Sequence, residues 1–151
     1  MTESQPHARR RILFLCTGNS CRSQMAEGWA RYIYGDRVVV CSAGTAPHRI
    51  DPGAVKVMAE VGVDISRQTS NHLDEFLDLP FDLVVTVCDK ARESCPVFPG
   101  EVKTMHRSFD DPPYLARDAV NEDEALGHYR RVRDEIKDMV ENLRSQISDL
   151  K

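Results

Sequence analysis

Cys16 opens the run Cys16-Thr17-Gly18-Asn19-Ser20-Cys21-Arg22-Ser23, whose residue types suit an oxyanion cradle with a nucleophile inside it. The apolar run Ile12-Leu13-Phe14-Leu15 stops at this cysteine, and apolar residues then recur at helical spacing. A cysteine at the carboxyl end of a strand faces the crevice where open α/β sheets bind ligands. The loop's successive backbone N–H groups can wrap an anion, and the helix start adds partial positive charge. Arg22 supplies a planar fork of donors for two oxygens of an arsenate or phosphate. The same field favours a thiolate, since cysteines at helix starts beside arginine titrate at roughly 3.5–7.5 instead of about 8.5. Ser23 can hydrogen-bond that thiolate, Asn19 can lock the loop, and Gly18 permits close approach of the anion. Thr17, Gly18, Asn19, Ser20, Cys21, Arg22 and Ser23 are therefore the expected anion-binding residues. An ordinary strand-to-helix turn around a buried cysteine is the competing reading.

Cys88 and Cys95 supply two further thiols. Cys88 is expected to end the third strand, on the same sheet edge as Cys16. Six residues separate it from Cys95. A disulfide needs about 4.4–6.8 Å between α-carbons, so bridging the pair requires helical turns or rearrangement of the polar segment 89–95. The set predicts a relay in which Cys16 attacks the oxyanion and Cys88 attacks the Cys16 sulfur, releasing reduced product. Cys95 then takes over the disulfide, where an external dithiol can reach it. Otherwise Cys88 is a core residue and Cys95 an incidental surface thiol. Zinc is disfavoured, because the spacing is not Cys-x2-Cys and only His106 is near in sequence; no metal site is expected. Cys21 and Cys41 are assigned to packing. The oxygen leaving group needs a proton, and Asp111, stiffened by Pro112, is the expected general acid with Asp110 as competitor.

These groups need a frame. Strands are expected at 12–15, 38–41, 83–87 and 102–106. Met25, Ala26, Trp29, Ala30 and Ile33 share a helix face that Gly35 closes. Asp51 and Pro52 start a second helix that ends at Gly62, and a short helix covers 73–77. Residues 108–117 are expected to be loop. Asn121 caps a long final helix whose buried stripe is Leu126, Tyr129, Val132, Ile136, Met139, Leu143 and Ile147. Strands alternating with helices predict an α/β fold, a three-layer αβα sandwich around a central four-stranded parallel sheet. Residues 1–8 are expected to be a disordered tail and 9–151 a single domain.

Hydrophobic content of 41% and charged content of 29% are ordinary for a globular chain. The net charge of −4 and the absence of a dominant basic run argue against a nucleic-acid partner. Arg9, Arg10 and Arg11 read as a solvated strand entrance. No apolar stretch approaches the roughly 20 residues that span a bilayer, so no membrane partner is expected. The polar start lacks a secretory pattern, and five cysteines then point to reduced thiols and a cytoplasmic location. A monomer is the default.

The run from Cys16 to Glu27 resembles the signature loop of thioredoxin-coupled arsenate reductases, which share the low-molecular-weight tyrosine phosphatase fold. The likeness continues through Ser42-Ala43-Gly44-Thr45, Val84-Val85-Thr86-Val87-Cys88, Cys95-Pro96 and Phe109-Asp110-Asp111-Pro112, and into the final helix. The resemblance implies Cys16 as nucleophile, Arg22 as oxyanion clamp, Asp111 as acid, and Cys88 and Cys95 as resolving and shuttling thiols. It implies arsenate as substrate, phosphate or sulfate as competing oxyanions, and reduced thioredoxin as electron donor, with no tightly bound cofactor. The phosphatases share only the cradle and the Asp-Pro loop, so hydrolysis of phosphotyrosine or another phosphate monoester is the alternative. Some relatives bind potassium through groups matching Asn19, Glu27 and Ser42. Asn71 here stands where those relatives carry an acid, which argues against that ion. Tyr114 falls close to where the phosphatases place a substrate-binding tyrosine.

Overall fold

The computed structural model describes residues 9–93 and 95–147; the expected tail at 1–8 lies outside the described residues. Four strands form one parallel sheet in the order β2-β1-β3-β4: β1 is Arg10–Cys16, β2 Val38–Gly44, β3 Leu83–Thr86 and β4 Lys103–His106. Ile12, Leu13 and Phe14 are fully buried in β1, which explains an unbroken apolar run where an alternating one would leave a face to water. Leu15 pairs with Thr86 and Thr86 with His106, so these strands end level and their following loops leave one sheet edge.

Helices flank the sheet, as expected. The first, α1 (Arg22–Tyr34), lies against the long last helix, α5 (Glu122–Glu141). Trp29 Nε1 donates to Arg133 O at 3.1 Å and the Tyr34 hydroxyl to Val140 O at 2.5 Å, so both amphipathic rings bury with their polar atoms satisfied. Gly35 closes α1 at φ +56°, a conformation that favours glycine. Asp51 accepts from Gly53 N at the start of α2 (Pro52–Glu60), and Asn121 accepts from Glu124 N at the start of α5.

Several boundaries differ from expectation. Residues 108–117 contain a short helix, α4 (Pro112–Ala116), because two prolines at its start pre-set φ and need no N–H partner. β3 stops at Thr86 rather than reaching Cys88. Val87 N still donates to Leu15 O at 2.9 Å, and the chain then turns into α3 (Asp89–Glu93). The segment at 73–77 is a 3-10 turn, Leu73–Phe76. α5 gives way to another such turn, Asn142–Ser145, yet Leu143 and Ile147 remain buried.

Candidate active site

The loop between β1 and α1 has every carbonyl from 17 to 20 tied outward. Thr17 O accepts from Ala46 N, Gly18 O from His48 N, Asn19 O from the Gln24 amide, and Ser20 O from Asp51 N, all at 2.7–2.9 Å. The described peptides are all trans, so each carbonyl points away from the next residue's N–H. Tying these four oxygens outward therefore turns the amides of Gly18, Asn19, Ser20 and Cys21 toward the cradle. Asn19 N shows the direction, donating to Cys16 Sγ at 3.2 Å. Gly44 makes the close packing feasible: a Cβ there would stand 2.4 Å from Thr17 O.

Hydrogen-bond directions around Cys16 follow from one fixed donor. Asn71 N can only donate, and it lies 2.7 Å from Asn19 Oδ1. Asn19 Nδ2 is then turned to Ser23 Oγ, 2.8 Å away. Ser23 receives that proton and has its own to give to Cys16 Sγ at 2.8 Å. Asn19, Ser23 and Gln24 are fully buried, and Asn19 holds the left-handed backbone (φ +48°) that asparagine tolerates. The expected lock and thiol donor are thus in place.

Arg22 Nη1 donates to Phe109 O at 2.9 Å, joining the cradle to the loop after β4. Its Nη2 lies 3.8 Å from Asp111 Oδ1. Asp111 precedes α4 without capping it, so its half-exposed carboxyl is not committed to the helix. The competing Asp110 is held by Arg131 at 2.8 Å, on α5. Tyr114 follows on α4, exposed, with the Arg117 guanidinium stacked 3.5 Å above its ring.

Cys88 is buried, and its Sγ lies 3.5 Å from Thr17 Oγ1, a cradle residue. Cys95 is half-buried beside an open cavity of about 530 Å³ whose walls include Thr86, Phe98 and His106. Burial pushes the Cys95 thiol up. All five cysteines are free. Cys21 is buried as expected; burial first, then the Asp51 carboxylate, push its thiol well above the ordinary range. Cys41 is only half-buried, packed against the core from β2.

The groups aligned with a potassium site do not fit that ion. Glu27 Oε2 is bound by Arg31 through Nη2 at 2.6 Å and Nε at 2.9 Å, and its Oε1 accepts from Ser42 Oγ at 2.6 Å. Asn71 turns its amide donors to Ser42 O and Thr69 O. A guanidinium already balances the carboxylate. Among the described residues no cluster of three or more His, Cys, Asp or Glu side chains could hold a metal.

Sequence reasoning missed the residues that brace the cradle from outside. Gln24 reads as an ordinary polar helix position, yet its buried amide bonds both Asn19 O and Thr69 O. Tyr129 reads only as core, yet its hydroxyl reaches Asp51 Oδ2 at 2.8 Å, and burial plus that carboxylate raise its pKa. Thr86, His106 and Asp89 form a hydrogen-bonded chain beside the later cysteines, and nothing in their spacing announces it.

Comparison with known proteins agrees with this geometry. Residues 11–151 match the family model described as low molecular weight phosphotyrosine protein phosphatase. An arsenate reductase of Bacillus subtilis (strain 168) is 54% identical over 125 residues, 83% of this chain and 88% of that one. A solved arsenate reductase in the oxidized state superposes with a TM-score of 0.73 at 32% identity, covering 91% of this chain and 98% of that one. The thioredoxin-dependent arsenate reductase of Corynebacterium glutamicum gives a TM-score of 0.63 at 25% identity, over 91% of this chain and 63% of that one. The chain belongs to the low molecular weight phosphotyrosine protein phosphatase family, and within it stands with the arsenate reductases.

Proposed function

We propose that this chain reduces arsenate to arsenite by a three-cysteine relay and returns to its dithiol state at the expense of thioredoxin. Arsenate binds in the ring of loop amides with Arg22 on two of its oxygens. The Cys16 thiolate attacks arsenic(V), a Cys16 sulfur–arsenic bond forms, and an oxygen leaves as water with a proton from Asp111. The Cys88 thiolate attacks Cys16 Sγ. The sulfur–arsenic electron pair stays with arsenic, which leaves as arsenite, and a Cys16–Cys88 disulfide remains. The Cys95 thiolate then attacks Cys88 Sγ and frees Cys16 as a thiolate. The two electrons given to arsenic are replaced when an external dithiol reduces the 88–95 disulfide.

The observation that carries this reading is the 3.5 Å contact between Cys88 Sγ and Thr17 Oγ1, which brings a thiol from outside the loop to the cradle. A hydrolase has no use for it there. Arsenate as substrate is supported by the names of the relatives, and thioredoxin by the name of one solved neighbour. The filled surroundings of Glu27 support a reaction without potassium. No described helix is long and apolar enough to cross a membrane, and a cytoplasmic monomer is the state proposed.

Coupled turnover decides the matter: arsenate, thioredoxin, thioredoxin reductase and NADPH are mixed with the chain and NADPH loss is followed. Steady oxidation that stops with Cys88→Ser is the expected result. Oxidation that survives this substitution removes the relay. Phosphate monoester hydrolysis is the second reading, favoured because Asp111 stands 3.8 Å from Arg22 at the Cys16 loop and hydrolysis needs neither late thiol. It prevails if a phosphate monoester turns over while arsenate does not.

A further inference from the structure

The segment carrying Cys88 and Cys95 is tied to the sheet by three side chains that the relay leaves unused. Thr86 and His106 are the last residues of β3 and β4, paired in register, and Thr86 Oγ1 lies 2.7 Å from His106 Nδ1. On its other side, His106 Nε2 lies 2.9 Å from Asp89 Oδ1. The His106 hydrogen bond is the chief cause holding the Asp89 carboxyl below the usual range, with Ser108 and Arg92 as lesser partners. A carboxylate only accepts, so Nε2 carries the proton and donates; in the neutral ring Nδ1 then accepts from the Thr86 hydroxyl. Buried Thr86 thereby fixes the ring, and the ring grips the first residue of α3.

That grip falls on the hinge of the relay. Asp89 is bonded directly to Cys88, and α3 separates Cys88 from Cys95. The five residues of α3 that stand between the two thiols rise about 7.5 Å, whereas a disulfide needs α-carbons about 4.4–6.8 Å apart. The short helix must unwind or shift before the pair can bond. The cavity of about 530 Å³ beside Cys95, walled in part by Thr86 and His106, gives the segment room to move.

We propose that Thr86, His106 and Asp89 form a latch, a set of positioning residues that holds Cys88 beside the cradle in the dithiol state and releases when the 88–95 disulfide forms. The proposal rests on the reductase reading. It has a thermodynamic consequence: an interaction present in the dithiol and lost in the disulfide favours the dithiol, so the latch makes this disulfide easier for an external donor to reduce.

Redox titration of the full chain against glutathione tests it. Two glutathione thiols are oxidised to one glutathione disulfide as each 88–95 disulfide becomes two thiols, and alkylation with mass mapping reads the populations. Wild type, Asp89→Ala, His106→Ala and the double variant are compared. Each single substitution is expected to shift the equilibrium about threefold toward the disulfide, the range of a solvent-exposed pair. The double variant is expected to shift no further than the singles. Asp89 is largely exposed, so its truncation leaves the fold intact even if His106→Ala disturbs β4. Equal constants across the set, or a shift toward the dithiol, overturn the latch while leaving the relay standing. Absence of any 88–95 disulfide in the wild type overturns the reductase reading, and the latch with it.

Discussion

The loop after β1 and the segment after β3 leave neighbouring strands at one sheet edge, yet their backbones are held in opposite ways. In the cradle, four consecutive carbonyls are bound at 2.7–2.9 Å and the side chains of Asn19, Ser23 and Gln24 are buried in one network. In the thiol arm, Arg92 N reaches Cys88 O at 3.2 Å and Cys95 N reaches Arg92 O at 3.4 Å, beside open space. The contrast follows from the chemistry asked of each. Donors that stabilise developing charge work best when nothing need reorganise as the reaction proceeds. A thiol that must change partners needs a segment whose opening costs little.

The sharpest way to break this comparison is Arg22→Ala, which removes a donor from the fixed half. Its kcat/KM for arsenate is expected to fall about 10³-fold, with a similar fall for any phosphate monoester the chain hydrolyses. Steady-state assays of both substrates check this, and a loss confined to arsenate would mean the guanidinium serves the relay instead of the anion. Asp111→Asn follows at about 10²-fold. Asp110→Asn is expected to stay within about twofold, because that carboxylate is engaged with Arg131 on α5.

Stability separates the halves next. Gly44→Ala drives a Cβ to 2.4 Å from Thr17 O, backbone that cannot swing aside, and is expected to cost about 1–3 kcal/mol. Gly100, in the arm, has open space around it, and only its φ of +83° resists a side chain. Gly100→Ala is expected to cost about 1 kcal/mol. Urea unfolding of both variants measures the difference, and equal midpoints would mean the cradle yields as readily as the arm.

The same contrast governs what could be read before any coordinates. The strand–loop–helix around Cys16 is legible because local sequence dictates it: an apolar run, small turn residues, then helical spacing. Asn121 and Asp51 are legible as caps for the same reason. Asn71 and Gln24 are not, because their partners lie 52 and 45 residues away along the chain. Long-range contacts of this kind leave no periodic trace. His106 reads in the sequence only as a lone histidine, too few ligands for a zinc site, since its pairing with Thr86 depends on sheet register. Pro112 favours Asp111 over its neighbour Asp110 in the sequence, but the contacts that separate them, Arg22 beside Asp111 and Arg131 of α5 on Asp110, are long-range and leave no local trace.

One expected effect bears on the arm alone. Burial raises the Cys95 thiol above its ordinary value near 8.5, so at neutral pH most of it is protonated. Thiol exchange runs through the thiolate, whose fraction grows almost tenfold per pH unit while pH stays below the pKa. Transfer of the disulfide from Cys16–Cys88 to Cys88–Cys95 is therefore expected to speed up by just under tenfold between pH 7 and 8. Acid quench and mass mapping of a single turnover follow the two disulfides separately. A flat profile across that unit would mean that Cys95 is already ionised when it attacks. The arm would then have to leave its buried place before the exchange, and opening of the segment would set the rate in place of proton loss.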